Sequence, residues 1–460
     1  MKRVLVVGLG VVLVGYVVAV VAFSGRYPTE QFGAEAQTTP LSFPQGFLWG
    51  TATAAHQVEG GNTRNDWAAF EAEPGNIRNN DRSGLASDHW NRVAGDVALM
   101  KAMGANAYRF SVEWSRLEPS EGTWDEAAWA HYVDEVDQLV AAGLTPMVTL
   151  LHFTLPQWLA EQGGLLAPGF PSGLGRLAAE AARRLGPKVS LWCTINEPNV
   201  QMFHGYLEGV WPPKRKSNEE AVKAMRALVQ AHAAAAHALR TGDPDARIGA
   251  AIHLVAFEPV SKVNLLDWVS MHLSGNTFNW TFYDSIQAGR FTFNAPGFPA
   301  YDEPVEHLAG SVDYFGVNYY TRRRIRFAPD SPTLVAVEPG EGEKTDLGWE
   351  IRPEGLLQLL RAAHQRYGLP IHITENGLAD EKGDKRGPYL RGHLYAVWRA
   401  LQEGIPVRSY FHWSLMDNFE WAEGFRPRFG LYHVDYATQA RTPAGGSEVF
   451  KTVATTGTLR

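Results

Sequence analysis

The sequence predicts a single (β/α)8 barrel preceded by one N-terminal transmembrane helix. Two observations support the barrel: β-like and helix-like segments alternate from about residue 42 onward, and eight strand–helix units can be counted. A third observation, an uncharged stretch over residues 4–23, supports the membrane helix. The 460 residues could hold two or three average domains, but they also suit one barrel with elaborated loops. We therefore expect one domain after the N-terminal segment.

The N-terminal segment follows Lys2 and Arg3, and its twenty apolar residues are enough to cross the hydrocarbon core of a bilayer as a helix. A secretory signal would have a shorter apolar region of about 7–15 residues and a small-x-small cleavage site, for which Ala22-Phe23-Ser24 is only a weak candidate. We expect residues 1–23 to be an uncleaved anchor rather than a signal. Because Lys2 and Arg3 should stay cytoplasmic, the catalytic body is expected on the extracytoplasmic side.

Residues 24–41 contain Gly, Pro, Gln and Thr without apolar periodicity and are predicted to be a tether, which leaves residues 42–460 for the barrel. The eight candidate strands are residues 47–55, 105–114, 145–152, 189–197, 247–255, 312–320, 370–375 and 407–415. Candidate helices between them include residues 125–142, 173–185, 218–240, 353–367 and 388–403, the last two opened by proline. Residues 264–306 and 322–349 are expected to be long loops over the top of the barrel.

The composition excludes several classes of function. The net charge of −7 and the lack of a long basic run argue against nucleic acid as a partner, since the short clusters 214–216 and 322–326 suit solvated loops. Cys193 is the only cysteine, which excludes an internal disulfide and a cysteine-based metal cluster, and we expect a packed core thiol. The residues at the ends of the predicted strands, described below, include no multi-histidine set and no Gly-rich phosphate loop. We therefore expect neither a metal nor a cofactor.

Two predicted strands each have a glutamate at the C-terminal tip. Glu197 follows the β-favouring run 189–195 and precedes Pro198, which cannot extend a central strand. Glu375 follows the apolar run 371–374 and precedes the turn Asn376-Gly377. A barrel enzyme keeps its chemistry at these tips. Two such carboxylates indicate one acid/base and one nucleophile, although a strand-end acid can instead be a salt-bridge partner.

The other residues at the predicted strand tips share a chemical theme of amides, a histidine, an arginine and aromatic rings. Aromatic faces suit the C–H face of a pyranose, and amides and carboxylates suit its vicinal hydroxyls. Taken singly, each residue could equally be core or a satisfied buried polar group, so it is their joint placement that favours a sugar site. They are Gln57, Arg109, His152, Asn196, Asn318, Tyr319, Tyr320 and Trp413.

On these residues the sequence resembles glycoside hydrolase family 1, the β-glucosidase and β-galactosidase family, along essentially all of residues 42–453. The matching motifs occur in the family's order: residues 43–50 with 52–60, Tyr108-Arg109-Phe110-Ser111, Asn196-Glu197-Pro198, Asn318-Tyr319-Tyr320, Thr374-Glu375-Asn376-Gly377 and residues 413–421. The resemblance implies a retaining β-glycosidase that hydrolyses terminal β-linked glucose or galactose by double displacement. Glu197 would be the acid/base and Glu375 the nucleophile, with carboxyl groups about 5–5.5 Å apart.

The resemblance also implies the substrate contacts. Arg109 and Tyr320 would bracket the nucleophile, with Asn318 in support, while Trp349 would stack on the leaving group. The remaining contacts to the terminal sugar would come from Gln57, His152, Asn196, Trp413, Glu420 and Trp421. Phe153 stands where many members have tryptophan, so that indole contact is unsupported. Gln57 and Glu420 can bind an equatorial or an axial 4-hydroxyl, which leaves glucose, galactose and fucose open.

Some branches of the family can be argued against. An acid at Glu420 would repel a sugar 6-phosphate, and thioglucosidases lack the acid/base that is present here. The C-terminal third, including residues 386–390 and 450–457, more closely resembles the plant sensitive-to-freezing branch, which transfers galactose between membrane galactolipids. A membrane-associated galactolipid galactosyltransferase is therefore the alternative, with a glycolipid as substrate. A silent glycan-binding scaffold is a third hypothesis, which the intact pair Glu197 and Glu375 disfavours.

Overall fold

A computed structural model describes residues 14–22, 25, 30–331 and 334–460. Its strands, numbered in chain order, are β1 Leu41–Ser42, β2 Leu48–Ala52, β3 Ala107–Ser111, β4 Thr145–Leu151, β5 Leu191–Asn196, β6 Arg247–Pro259, β7 Arg290–Phe293, β8 Tyr301–Pro304, β9 Phe315–Phe327, β10 Val335–Glu338, β11 Ile371–Asn376, β12 Val407–Trp413, β13 Tyr432–Asp435, β14 Ala440–Pro443 and β15 Thr458–Leu459. Within the described residues, eight of them pair in parallel in the order β2, β3, β4, β5, β6, β9, β11 and β12, and β12 returns to β2. The predicted (β/α)8 barrel is confirmed.

Helices lie between the barrel strands and cover its outside. From residue 30 onward, the α-helices in the described part of the chain are Glu35–Thr38, Ala55–Val58, Asp66–Ala72, His89–Ala102, Trp114–Leu117, Glu126–Ala141, Gln157–Glu161, Phe170–Leu185, Pro198–Met202, Asn218–Gly242, Leu265–Gly275, Thr281–Ala288, Pro353–Tyr367, Arg386–Gln402 and Ser447–Thr456. The five predicted helices are all present, with ends shifted by a few residues. The longest begins where Ser217 accepts a hydrogen bond from the amide of Glu220, which is the usual N-cap arrangement.

The core follows from the strand sequences. The barrel strands are almost wholly buried, as expected of parallel strands whose outer face is covered by helices. β5 and β11 are buried at every residue, up to the tips that carry the polar groups. The apolar strand interiors therefore fix the barrel, and the polar tips open at its C-terminal end.

The two segments predicted to be long loops contain regular structure, which corrects that expectation. The first contains the helices Leu265–Gly275 and Thr281–Ala288 and the antiparallel hairpin of β7 and β8. In the second, β9 runs on to Phe327 and pairs with β10, so part of this region extends the sheet beyond the barrel. These elements are short or locally paired, and they interrupt the simple alternation of strand and helix on which the sequence prediction depended.

The structure describes only part of the predicted transmembrane helix and tether. Residues 14–22 are helical, but residues 4–13 and 23 of the predicted transmembrane helix lie outside the described residues. Among the residues that are described, no helix is both long and apolar enough to span a bilayer. Residues 30–41, assigned to the tether, pack on the barrel: Glu30 forms ion pairs with Arg361 at 2.6 Å and Arg399 at 3.2 Å. β1 also pairs with β15.

Candidate active site

Both glutamates stand at the C-terminal ends of barrel strands. Glu197 follows β5 directly and adopts a left-handed backbone conformation with φ 45°, which is uncommon for a residue with a side chain. Glu375 lies in β11, where the pairing with β9 and with β12 shifts register after Ile373. Irregular backbone of this kind often occurs where a side chain is aimed into a site. Both side chains are buried at the mouth of the barrel.

The carboxylate of Glu375 is held by two donors. Its Oε1 accepts a hydrogen bond from Arg109 Nη1 at 2.5 Å, and its Oε2 accepts one from the Tyr320 hydroxyl at 2.6 Å. Burial raises the pKa of Glu375 to about 7. The guanidinium of Arg109 opposes this increase, and the nearby charge of Glu197 adds to it. Arg109 and Tyr320 thus orient the group, and they limit but do not cancel the effect of burial.

Arg109 also sets the orientation of the neighbouring amides, because a guanidinium can only donate hydrogen bonds. Its Nη2 donates to Asn196 Oδ1 at 2.6 Å, so the amide nitrogen of Asn196 faces His152 Nε2 at 3.1 Å. Burial, aided by Arg109, lowers the pKa of His152 well below its ordinary value, and the neutral ring therefore accepts at Nε2 and carries its proton on Nδ1. Asn196 Oδ1 also accepts from Asn318 Nδ2 at 3.1 Å.

The same chain of hydrogen bonds reaches the second glutamate. Asn318 Nδ2 donates to Glu197 Oε1 at 2.9 Å, and Asn318 Oδ1 accepts from the Thr374 hydroxyl at 2.6 Å. Both ends of this amide are therefore assigned by their partners. Arg109, Asn196 and Asn318 link the two carboxylates through the floor of the pocket, so neither can move far without disturbing the other.

Two buried polar atoms in the pocket have no protein partner among the described residues. They are Gln57 Oε1 and His152 Nδ1, an acceptor and a donor. Gln57 Nε2 is occupied, since it donates to the Phe419 carbonyl at 2.8 Å and to Glu420 Oε2 at 3.3 Å. Burying unpartnered polar atoms is costly, and a ligand with hydroxyl groups would satisfy both.

Aromatic rings enclose the space beside these atoms. The His152 ring lies roughly parallel to Trp413, with centroids 5.9 Å apart, and to Trp421, with centroids 6.1 Å apart. Trp349 is half-buried farther out and packs edge-on against Tyr320 at 5.5 Å. Phe153 stands where many members of the resembled family have tryptophan, and it packs against Trp421. The structure brings all the predicted site residues to one end of the barrel, while their individual roles stay predictions.

Glu420 is the third carboxyl group of the pocket. Burial raises the pKa of Glu420 to about 8, with the charges of Glu375 and Glu197 adding to the increase, while hydrogen bonds from Trp413 and Gln57 oppose it. Glu420 has no arginine partner among the described residues. A proton on Glu420 therefore relieves repulsion among the three acids at neutral pH.

We expect Glu420→Gln to stabilise the fold selectively at alkaline pH. A group whose pKa is raised on folding stabilises the protein below its unfolded value, near 4.5, and this contribution is lost as the pH rises through about 8. At pH 9 the amide should therefore raise the free energy of unfolding by roughly 1–2 kcal/mol, because pocket water screens part of the charge. Thermal unfolding at pH 5 and pH 9 measures the difference.

The matched control is Glu423→Gln, since the pKa of Glu423 is lowered by its partners Arg78 and Arg426 despite partial burial. That variant should gain no stability at pH 9. An equal gain for Glu420→Gln at both pH values would show that charge is not its cause.

Sequence reasoning missed His253. Its Nδ1 lies 3.1 Å from Glu197 Oε1, and its ring stacks on Tyr320 with centroids 5.7 Å apart. The residue lies inside the predicted strand 247–255, and only its pairing with Asn318 in the β6–β9 register shows that it stands beside the site. Among the described residues, no group of three or more His, Cys, Asp or Glu side chains is arranged to hold a metal ion.

Comparison with known proteins agrees with this geometry. The family model described as glycosyl hydrolase family 1 matches residues 39–458. β-Glucosidase A of Thermotoga maritima is 36% identical over 423 residues, which cover 87% of this chain and 94% of that protein. β-Glucosidase A of Acetivibrio thermocellus is 33% identical over 432 residues, covering 87% and 95%.

Solved structures give the same result. A β-glycosidase from Pyrococcus horikoshii superposes with a TM-score of 0.85 at 38% identity, covering 92% of this chain and 97% of its own. The family 1 β-glucosidase from Thermotoga maritima gives a TM-score of 0.86 at 33% identity, covering 92% and 100%. With the fold, the paired glutamates and these matches in agreement, the chain belongs to glycosyl hydrolase family 1.

Proposed function

We propose that this glycoside hydrolase removes a terminal β-linked glucose or galactose from a glycoside, with Glu375 as the nucleophile and Glu197 as the acid/base. The observation that carries the proposal is that both carboxylates lie at the same end of the barrel within one hydrogen-bonded network: one is held by Arg109 and Tyr320, the other by Asn318. Different partners give two chemically similar groups different tasks.

In the first step, Glu375 attacks the anomeric carbon as the bond to the leaving group breaks. Glu197 gives its proton to the departing oxygen, and a glycosyl ester with Glu375 remains. Arg109 and Tyr320 hold the attacking carboxylate in place and stabilise it as the nucleophilic anion.

In the second step, Glu197 takes a proton from water, the water oxygen attacks the anomeric carbon, and the bond to Glu375 breaks. Two displacements leave the anomeric configuration unchanged.

The identity of the sugar is tested by turnover. Gln57 Oε1 and His152 Nδ1 offer one acceptor and one donor to hydroxyl groups, and the glucosidase names of the relatives favour glucose. A panel of 4-nitrophenyl β-glucoside, β-galactoside and β-fucoside should therefore show the highest kcat/KM for the glucoside. Higher activity on the galactoside would reassign the glycone without changing the mechanism, whereas no turnover of any β-glycoside would overturn the proposal.

Galactolipid transfer is not proposed. The relatives carry the names of glucosidases and glycosidases, and nothing in these comparisons supports a closer link to the plant branch. That resemblance stays a prediction from the sequence. Both reactions would share the same glycosyl ester, so the catalytic residues themselves do not separate them.

We also propose that the protein works at a membrane surface, with its catalytic domain on the extracytoplasmic side. The support comes from the uncharged residues 4–23 and from the outer face of the helix Leu265–Gly275. The side chains of Leu266, Val269 and Leu273 on this outer face are 51%, 46% and 37% exposed. Because Trp268 on the opposite face is buried, the helix is apolar on both sides, which is unusual for a surface helix.

The position of this outer face links it to the N-terminal segment and to the barrel mouth. The helix follows β6 and packs with the extended ends of β6 and β9, on the side where the glutamates lie. The Tyr16 hydroxyl donates to the carbonyl of Val263, just before this helix, so the described part of the apolar segment contacts the same region. A bilayer that takes up residues 4–23 would thus lie beside the outer face. Burial of the apolar side chains would favour insertion of this face into the bilayer.

A polarity-sensitive fluorophore on full-length Leu266→Cys tests this arrangement, since the only native cysteine, Cys193, is buried. Phosphatidylcholine vesicles should shift the emission to the blue. Val140→Cys, an exposed site on the helix Glu126–Ala141, should show no shift. Unchanged emission from vesicle-bound protein would contradict the arrangement. A shift without vesicles that grows with protein concentration would point instead to a second copy of the chain.

A further inference from the structure

His253 lies beside the acid/base and next to a residue that holds the nucleophile. It is in β6, opposite Asn318 of β9, and its backbone carbonyl accepts a hydrogen bond from Asn199 Nδ2 at 2.8 Å. The side chain is 16% exposed, so it is packed on most sides and open on one. Its backbone is therefore fixed by the strand pairing and by one side-chain contact.

The imidazole contacts the acid/base directly, and it also contacts the tyrosine that donates a hydrogen bond to the nucleophile. His253 Nδ1 lies 3.1 Å from Glu197 Oε1. The ring stacks on Tyr320 at an interplanar angle of 19°, and the Tyr320 hydroxyl donates to Glu375. A change at this single side chain therefore reaches the acid/base through a hydrogen bond and the nucleophile through a ring contact.

The two carboxylate oxygens of Glu197 differ in the number of hydrogen-bond partners they have. Oε1 receives the Asn318 amide at 2.9 Å and faces His253 Nδ1, while no protein donor to Oε2 is found among the described residues. An ionised carboxylate only accepts hydrogen bonds, so the contact with His253 is a hydrogen bond in that state only if Nδ1 carries the proton. In that tautomer, Oε1 accepts two hydrogen bonds whether or not Glu197 is protonated.

We propose that His253 is a positioning residue that, together with Asn318, occupies Oε1 of Glu197 and so places the transferable proton on Oε2. The proposal rests on the function proposed above. When Glu197 gives up that proton, the bond from Oε2 to hydrogen breaks and the bond from hydrogen to the leaving oxygen forms. The resulting negative charge is shared with Oε1, where the two donors stabilise it. In the second step the same oxygen, Oε2, takes the proton of the attacking water.

The test compares two substitutions that separate the hydrogen bond from the ring contact. His253→Phe keeps a ring against Tyr320 and removes the donor. His253→Asn removes the ring and can keep an N–H close to the position of Nδ1. The readout is kcat/KM for octyl β-glucoside, whose leaving group needs a proton, and for 2,4-dinitrophenyl β-glucoside, whose leaving group departs without one.

For His253→Phe we expect kcat/KM on the octyl glucoside to fall roughly 10- to 100-fold, the loss typical of one hydrogen bond to a charged group. The dinitrophenyl glucoside should lose no more than about threefold, which also shows that the variant is folded. His253→Asn should restore most of the octyl activity because the donor returns.

Equal losses on both glucosides would make the role of His253 purely structural and overturn the proposal. Wild-type activity of His253→Phe on both would do the same, since the hydrogen bond would then have no effect. Failure of the proposed function is distinguishable, because the wild-type protein itself would then cleave neither glucoside.

Discussion

Glu375→Gln should reduce kcat/KM for aryl β-glucosides by a factor on the order of 10⁴ or more. The amide is nearly isosteric but cannot form the glycosyl ester, and it takes the place of the carboxylate that Arg109 and Tyr320 hold for attack. Steady-state kinetics with 4-nitrophenyl β-glucoside give the loss. Thermal unfolding shows whether the fold is retained.

The control for this substitution is Glu71→Gln. Glu71 is also a buried glutamate, but it pairs with His56 at 2.6 Å and with Ser83 rather than with the catalytic groups. Its replacement can cost stability, yet it should leave most of the turnover of the folded protein. If Glu375→Gln kept more than about a tenth of the wild-type activity, Glu375 could not be the nucleophile.

Glu197→Gln should have an effect that depends on the leaving group. Without the acid, kcat/KM on octyl β-glucoside should fall by about 10²- to 10⁴-fold, the usual contribution of general acid catalysis. The value for 2,4-dinitrophenyl β-glucoside should fall far less, because that group leaves without a proton. Removal of the ester by water should then become slow, and a burst of dinitrophenol should precede the steady state.

The comparison of two leaving groups also provides the control for Glu197→Gln. A misfolded or poorly binding variant would lose both activities together. Equal losses on the two glucosides, without a burst, would mean that Glu197 is not the proton donor, and the assignment of the pair would have to be revised.

The sequence was sufficient to predict the barrel and its two glutamates because both follow from local patterns. Apolar runs that stop at Glu197 and Glu375 are visible without any knowledge of tertiary structure. In the structure, β5 and β11 carry these residues to the same mouth. The amides Asn196 and Asn318 could be placed there for the same reason, since each is at the predicted end of a strand.

His253 could not be identified from the sequence because its importance depends on strand register. A histidine in the middle of an apolar strand is most often a packed core residue, and only the pairing of β6 with β9 places it beside Glu197. Likewise, Arg109 can only donate hydrogen bonds, and this determines how the neighbouring amide groups are oriented. That orientation can be assigned only when the interatomic distances are known.

The segment before the barrel shows a different limit. Residues 30–41 have no apolar period, and this predicted a tether. In the structure Ala36 is buried, Glu30 is paired with two arginines, and β1 forms a short sheet with the C-terminal β15. These contacts join residues more than 300 positions apart in sequence. No local pattern contains that information.

Covalent trapping tests the central claim most directly. A 2-deoxy-2-fluoro-β-glucoside with a dinitrophenyl leaving group slows both displacements, but the activated leaving group lets the first proceed, so the glycosyl ester accumulates. Mass spectrometry of the digested protein should then show one fluoroglucosyl group on the peptide that contains Glu375, and none in Glu375→Gln. A label on any other residue, or turnover that inverts the anomeric centre without an ester, would contradict the account.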